Sequence, residues 1–339
     1  MTRRRWWSPV LWGIAILALA VVVLQYIPSG EVEIAPGITG NLRTMVHVSH
    51  GHRPGPGRLL MVAIDVGPVS ELQYLLGQLN PTVEFQPATQ VLGPLNMNQY
   101  VQYNDALMQQ SQWSAEVAGE RLAGLNARVI TVPGAVVLGL VPHSAAKGKI
   151  QPGALITRIG PYAVSSVNAV RAIMHHFHVG ETVPVTVVQN GHTRVVSVRT
   201  TRIKGDPDPA IGVYISALQK PVIPRHVVIH AGQIGGPSAG MMFALEIYDQ
   251  ITGHNIAHGQ IVAGTGEILP NGQVVEIGGV AQKVVTVYRA GARVFVVPKA
   301  NYPKARAMAQ RMGYHMKIFP VTNVRQALSD IESATSSSG

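Results

Sequence analysis

The sequence predicts a multidomain α+β protein: an N-terminal transmembrane helix, a small α+β region, a β-rich domain and a second α+β domain. Three observations carry this. Pro9 to Ile27 is uncharged and strongly apolar. From Ala127 the texture changes to short β-rich runs between turn residues. After residue 205, glycine-rich turns alternate with apolar helical stretches. The expected segments are a basic cytoplasmic tail (1–8), an anchor (9–27), an α+β region (28–126), a β-rich domain (127–202), a C-terminal α+β domain (205–332) and a flexible tail (333–339).

The apolar stretch at 1.5 Å per helical residue reaches across a bilayer core of about 30 Å. Trp6, Trp7 and Tyr26 flank it, and Arg3, Arg4 and Arg5 precede it. By the positive-inside rule the N-terminus is then cytoplasmic and all that follows Pro28 is extracytoplasmic, on a single-pass anchor. A cleavable signal peptide fits less well, because Ile27-Pro28-Ser29 lacks the small residues of a cleavage site.

Gly30 to Gly57 reads as extended chain rich in glycine and proline, and Leu59 to Val66 as a strand. Ser70 and Glu71 open a helix that Asn80-Pro81 stops. Val83 to Phe85 is extended, and Asn98 to Leu125 is helical, with Leu107, Val117, Ala118 and Leu122 inward. This region shows no evident chemistry. The run His47-Val48-Ser49-His50-Gly51-His52 lacks a completing carboxylate or cysteine, so a strand and turn is expected rather than a metal site.

In the β-rich domain, Val136 to Val141 is a strand, Pro142 to Gly148 a turn, and Ile150 to Ile156 leads into a second strand. Val167 to His176 is helical. Val183 to Val188 and Arg194 to Val198 form a hairpin about Asn190-Gly191. His175, His176 and His178 close the helix, where partial positive charge is favoured, and no fourth ligand follows at useful spacing.

The chemistry lies further on. Ser238 sits in Ile234-Gly235-Gly236-Pro237-Ser238-Ala239-Gly240, and Lys283 ends Glu276-Ile277-Gly278-Gly279-Val280-Ala281-Gln282-Lys283. Neither side chain is reactive in water: a hydroxyl barely ionises and an ordinary lysine is already protonated. Placed together and stripped of water, they form a nucleophile and its base. The segment Gly279–Gly291 reads as a helix, and Lys283 falls on the stripe of Val280, Val284 and Val287. Periodicity alone also allows a lysine snorkelling at the stripe's edge. Pro237 suits a first helical position, followed by an apolar helix from Ala239 to Ile251 with Glu246, Asp249 and Gln250 as its polar edge. Ser238 then stands where free backbone N–H groups point outward and can hold an oxyanion. As a bland alternative, the serine only caps the helix.

Gly-Pro-Ser-Ala-Gly, then Thr265-Gly266-Glu267, then Ile-Gly-Gly-x-x-x-Lys and a strand ending at Pro298 resemble the proteolytic domain of Lon proteases over about 205–332. The resemblance implies that Ser238 is the nucleophile, Lys283 the general base and Thr265 a supporting hydroxyl near the lysine. It makes Gly235, Gly236, Pro237 and Ala239 the nucleophile loop. Thr265 also reads as a turn residue ahead of the hairpin signal Pro270-Asn271-Gly272. Residues 127–202 resemble a PDZ domain in the Ser144-Ala145-Ala146 turn, the Pro152–Ile156 segment and the final hairpin; Ala154 departs from the aspartate usual there. PDZ domains add extended peptides to a sheet edge beside a helix; here that helix is Val167–His176, with no peptide-contact residue assigned. The whole order, with Gly67-Pro68-Val69 and Val91-Leu92-Gly93, resembles the membrane-anchored PDZ–Lon-like serine proteases, a family that includes a streptococcal pheromone-processing protease.

Composition bounds the alternatives. The chain has 339 residues, 47% hydrophobic and only 13% charged, so cores are affordable and wide disorder is not expected. With no cysteine, disulfides, cysteine nucleophiles and cysteine-ligated zinc are excluded. The net charge of +10 is spread thinly, without basic runs interleaved with aromatics, so no nucleic-acid partner is expected. No Gly-x-x-x-x-Gly-Lys-Ser/Thr loop occurs in the chain, so peptide cleavage here is expected to be ATP-independent and without cofactor or metal. Expected partners are peptide or protein substrates, the membrane and, by the Lon resemblance, further copies of the chain. Glu267 and Glu276 are near enough in sequence to raise the Lys283 pKa if either reached the amine. Two other functions remain: an esterase of the α/β-hydrolase type using His254, His258 or His315, and an inactive tethered peptide-binding scaffold.

Overall fold

The computed structural model describes residues 8–53, 55–203 and 208–336, with side chains from Leu11 onward. Two compact units divide the chain. One joins Met1–Arg128 to Ile223–Gly339; the other is Val129–Val222. The second is therefore inserted within the sequence of the first.

The first unit opens with helix α1 (Ser8–Tyr26), strand β1 (Pro28–Asn41), α2 (Leu42–Met45), β2 (Val46–Val48), β3 (Arg58–Ser70), α3 (Glu71–Gly77), β4 (Glu84–Pro87), α4 (Ala88–Val91) and the long α5 (Met97–Leu122). The inserted unit holds β5 (Arg128–Leu140), β6 (Leu155–Ile159), β7 (Tyr162–Ala163), α6 (Val167–Met174), β8 (Thr182–Gln189), β9 (His192–Arg199), β10 (Thr201–Arg202), β11 (Pro209–Ala210) and β12 (Val213–Val222). The first unit resumes with β13 (Val227–Ile229), α7 (Gly240–Thr252), β14 (Ile261–Gly264), β15 (Glu267–Ile268), β16 (Val274–Val275), α8 (Val280–Arg289), β17 (Val294–Pro298), a single 3₁₀ turn (Lys299–Asn301), α9 (Tyr302–Arg311), β18 (Lys317–Val321) and α10 (Val324–Ser336).

One corrected expectation is the anchor. The segment 9–27 is largely helical, as α1, but among the described residues no helix is long and apolar enough to cross a membrane. Helix α1 covers 19 residues, Ser8–Tyr26, against the roughly 20 apolar residues of a typical span. The single-pass topology, with its cytoplasmic N-terminus and extracytoplasmic catalytic domain, falls with it. Arg3–Arg5, Trp6 and Trp7 lie outside the described residues.

The first unit is built on a six-stranded sheet of order β18-β17-β14-β3-β1-β4. β18, β17, β14 and β3 run parallel, while β1 is antiparallel to both β3 and β4. The segment expected as a separate α+β region thus shares its sheet with the segment expected as the C-terminal domain. Strand alternation builds a core on each face. Leu59, Met61, Val262, Val294 and Val296 face the cluster that includes α7 and α10. Their neighbours Leu60, Val62, Ala263, Phe295 and Val297 face the cluster with α8 and α9. Parallel strands covered on both faces read as continuous apolar runs, which is why Val294–Val297 shows no polar alternation.

Helix α7 is buried along nearly its whole length. Full burial of a side chain such as Phe243 or Leu245 contributes about 1.5–3 kcal/mol. Helix α5 lies against α7 closely, and Gly119 makes that possible: a Cβ there would stand 2.6 Å from the Ala244 carbonyl oxygen. The polar edge expected for α7 is instead interior. Gln250 accepts a hydrogen bond from the Val48 N–H at 3.0 Å and donates to the Val46 carbonyl at 2.9 Å and to Glu246 Oε1 at 2.9 Å. Asp249 accepts from the Ile256 N–H at 2.9 Å. These side chains satisfy backbone groups of β2 and the following loop, so their polarity marks a buried network rather than solvent.

In the inserted unit the sheet order is β12-β5-β6-β8-β9, with β7 beside β6. Its core joins Val137, Ile156, Val183, Val185 and Val187 to Ile173 and Met174 of α6. The β8–β9 turn has φ of +51° at Asn190 and +77° at Gly191, the two positive values that a tight two-residue hairpin turn requires. β12 pairs with β5 and lies in this unit, beyond the expected end at 202. At the other end of the chain, α10 continues to Ser336 with Ala334 and Thr335 buried, so 333–336 is helix rather than flexible tail.

Candidate active site

Helices α7 and α8 pack on opposite faces of the central sheet. Groups leading into these two helices can meet only past the carboxyl end of a strand, where the sheet no longer separates them. That place is the end of β14. Thr265 follows the strand directly, and its N–H donates to the Val296 carbonyl at 3.0 Å. Crevices at the carboxyl ends of parallel strands are the usual sites of α/β sheets.

Lys283 reaches this point from α8. Gly279 is the N-cap of that helix, with φ of +67°; a Cβ there would also come 2.6 Å from Ile64 Cδ1. The apolar stripe expected for α8 is fully buried, and Lys283 with it, at 1% exposure. The snorkelling alternative is thereby excluded. Its Nζ donates to Ser238 Oγ at 2.6 Å and to Thr265 Oγ1 at 2.9 Å. Among the described residues it forms no ion pair, and Glu267 and Glu276 do not reach it. Burial pushes its pKa from 10.5 down to about 7.

Ser238 stands two residues before α7, whose first residue is Gly240 and whose N-cap is Ala239; Pro237 is outside the helix rather than in its first turn. The Ser238 carbonyl accepts two hydrogen bonds, from the Gly266 N–H at 2.8 Å and from the Thr265 hydroxyl at 3.0 Å. Thr265 has thus committed its proton to that carbonyl and turns a lone pair toward Lys283. Thr265 is itself fully buried. The three residues that the sequence singled out form one connected hydrogen-bonded group.

The loop Gly235–Ala239 is held by α5, in the region that seemed to carry no chemistry. The Gly236 N–H donates to the Asn104 carbonyl at 2.8 Å, and Ser111 Oγ donates to the Pro237 carbonyl at 2.9 Å. Gly236 is therefore not free to donate to a substrate. Among the described residues the N–H groups of Ser238 and Ala239 form no hydrogen bond. Ser111 had a sequence signal: it lies at helical spacing on the inward stripe of Met108, Ala115 and Ala118. Asn104 had none, since its contribution is a main-chain carbonyl. On the lysine side, the Asn301 amide clamps Ile277 through its N–H at 2.9 Å and its carbonyl at 2.8 Å.

Ser238 and Lys283 open into a cleft of about 830 Å³. It is lined by the loop Gly235–Ser238, α5, β3 and the approach to α8. Among the described residues, no group of three or more histidine and carboxylate side chains is arranged to hold a metal ion. Ser238 Oγ bonds no histidine. His254 pairs with Glu332 at 3.1 Å, and His315 lines a different cleft beside Arg293 and Lys317.

Residues 211–332 match the family model of the Lon protease (S16) C-terminal proteolytic domain. The Lon protease of Roseiflexus castenholzii is 35% identical over 105 residues, covering 30% of this chain and 13% of that protein. The Lon protease of Finegoldia magna is 30% identical over 122 residues, covering 36% and 16%. This chain thus spans only a small part of the length of the curated relatives it matches. The PDZ domain of the SdrC-like protein from Listeria monocytogenes is 24% identical over 25% of this chain and 90% of that one, with a TM-score of 0.24. The corresponding domain from Listeria innocua is 27% identical over 24% and 92%, with a TM-score of 0.23. The Lon-type match supports a serine protease.

Proposed function

We propose that this chain is an ATP-independent serine endopeptidase that cleaves peptides or flexible protein segments with a Ser238–Lys283 dyad. The observation that carries the reading is the 2.6 Å contact between a fully buried, carboxylate-free amine and the Ser238 hydroxyl. With its pKa near 7, Lys283 is neutral in a large fraction of molecules at neutral pH. In that form its lone pair takes the Ser238 proton as the oxygen attacks the scissile carbonyl. Thr265 accepts one amine hydrogen and so aims the lone pair at Ser238. The N–H groups of Ser238 and Ala239 receive the oxyanion, at about 3–4 kcal/mol for a well-placed donor. Lys283 then protonates the leaving amine, and the same base activates water for deacylation.

The inserted unit offers a place for recruitment. Val167, Val170 and Met174 of α6 face Ile211, Val213 and Ile215 across a cavity of about 470 Å³. In this reading an extended peptide lies along β12 beside α6, as PDZ domains take their ligands.

The test is cleavage of a quenched-fluorescent peptide library by the purified full chain, Ser238→Ala and Lys283→Ala, each checked for native circular dichroism. Activity is expected in wild type and in neither folded variant. Undiminished activity in Lys283→Ala would remove the dyad.

A further inference from the structure

Resting on that reading, we infer that the cleft selects cationic peptides, with lysine or arginine close to the scissile bond. The cavity and dyad define the site; the charges lining it decide what enters. Four carboxylates line it: Asp65 from β3, Asp105 from α5, Glu267 from β15 and Glu276 from the approach to α8. They come from four separate elements that converge only in the fold. Apart from buried Lys283, no lysine, arginine or histidine lines the cleft.

This runs against the chain as a whole, which carries 27 basic against 17 acidic residues. None of the four carboxylates forms a hydrogen bond or ion pair among the described residues, although cations are abundant elsewhere. Asp65, Asp105 and Glu276 are exposed and Glu267 is partly buried.

Two of the four sit close to the nucleophile. A Cβ built on Gly235 would lie 3.5 Å from Asp105 Oδ1, so this carboxylate borders the nucleophile loop. Glu267 follows Gly266, whose N–H is bonded to the Ser238 carbonyl. A concave site of one sign concentrates the opposite charge and repels its own. Unpaired acceptors also supply hydrogen bonds to ammonium and guanidinium groups. Apolar side chains from Ile38, Ile64, Val101 and Ile277 share the lining and accommodate the aliphatic stems of such residues.

Three peptides of one sequence, carrying lysine, glutamine or glutamate at positions flanking the cleaved bond, test this on the full chain. The expected order of kcat/KM is lysine above glutamine above glutamate, with the spread narrowing between about 20 mM and about 300 mM salt. Asp105→Asn and Glu276→Gln should each reduce the lysine-to-glutamine ratio by about two- to fivefold. Equal kcat/KM for the three peptides, lost in Ser238→Ala, would overturn the charge preference and leave the protease reading intact. A second arm measures binding of the same peptides to Ser238→Ala by fluorescence anisotropy. If no peptide is cleaved, the same charge order in binding upholds the preference while the catalytic reading fails. No charge order in binding overturns the preference.

Discussion

Burial of Lys283 has a thermodynamic signature that is independent of catalysis. A pKa lowered from 10.5 to about 7 means that the protonated amine is disfavoured inside the fold by roughly 5 kcal/mol, at 1.36 kcal/mol per unit. Because the folded-state pKa is the lower one, this group's contribution to stability is complete only above the unfolded value and is lost as pH falls toward the folded value. Between those limits the unfolded chain binds a proton that the folded chain does not, so stability rises with pH. From about pH 7.5 to about pH 9.5 the gain is roughly 2–3 kcal/mol. Lys283→Met keeps the volume and removes the titration. The variant should be more stable than wild type near pH 7.5, and the difference should shrink by that amount toward pH 9.5. The assay is urea unfolding followed by tryptophan fluorescence. The chain's tryptophans, at 6, 7, 12 and 113, all fall outside 129–222, so the signal reports the unit that holds the dyad. Taking the difference from the variant cancels the other titrating groups. A difference that stays flat over this range would show Lys283 protonated in the folded protein and refute the dry, neutral base.

Further expectations follow from the same geometry. The rate kcat/KM should rise with pH through a value near 7, as Lys283 becomes neutral, and a stopped-flow pH profile reads it directly. Ser111→Ala removes one of the two hydrogen bonds to the Pro237 carbonyl, which keeps the Gly240 N–H at 3.2 Å, and should cost about 0.5–1.5 kcal/mol of stability with a lower kcat, measured by denaturation and steady-state kinetics. Gly119→Val pushes α5 away from Ala244 and should cost about 1–3 kcal/mol in urea unfolding. Glu246 has its pKa raised to about 7, chiefly by burial; its contribution is present below the ordinary carboxylate range and lost as pH rises through 7. Glu246→Gln should therefore stabilise the protein near pH 8 by about 1–3 kcal/mol in the same assay.

The pair at the centre of the site was legible because helical periodicity is local. Lys283 shares the spacing of Val280, Val284 and Val287, and such a stripe buries whatever lies on it. The same logic misplaced Glu246, Asp249 and Gln250, because periodicity registers polarity and not the partner that satisfies it. Gln250 bonds Val46 and Val48, far away in the chain, and Asp249 bonds the Ile256 N–H of the loop that follows the helix. The clamp from Asn104 was hidden for a related reason: a main-chain carbonyl leaves no trace in residue type. The pairing of β12 with β5 was not legible because it bridges a long sequence separation: β12 lies inside the stretch that matches the Lon family model, yet it closes the sheet of the inserted unit. The apolar run at 9–27 was legible as a helix, but among the described residues no helix is long and apolar enough to cross a membrane.

The position of β3 sets a limit on dissection. It lies between β14 and β1, yet precedes the inserted unit in the chain, so the stretch matching the Lon family model omits it. An expression fragment trimmed to that stretch would leave β14 with a raw hydrogen-bonding margin and would strip α8 of Leu60 and Val62 beneath it. Such a fragment should clump rather than yield a minimal enzyme, whereas excising only the insert keeps every strand of the platform.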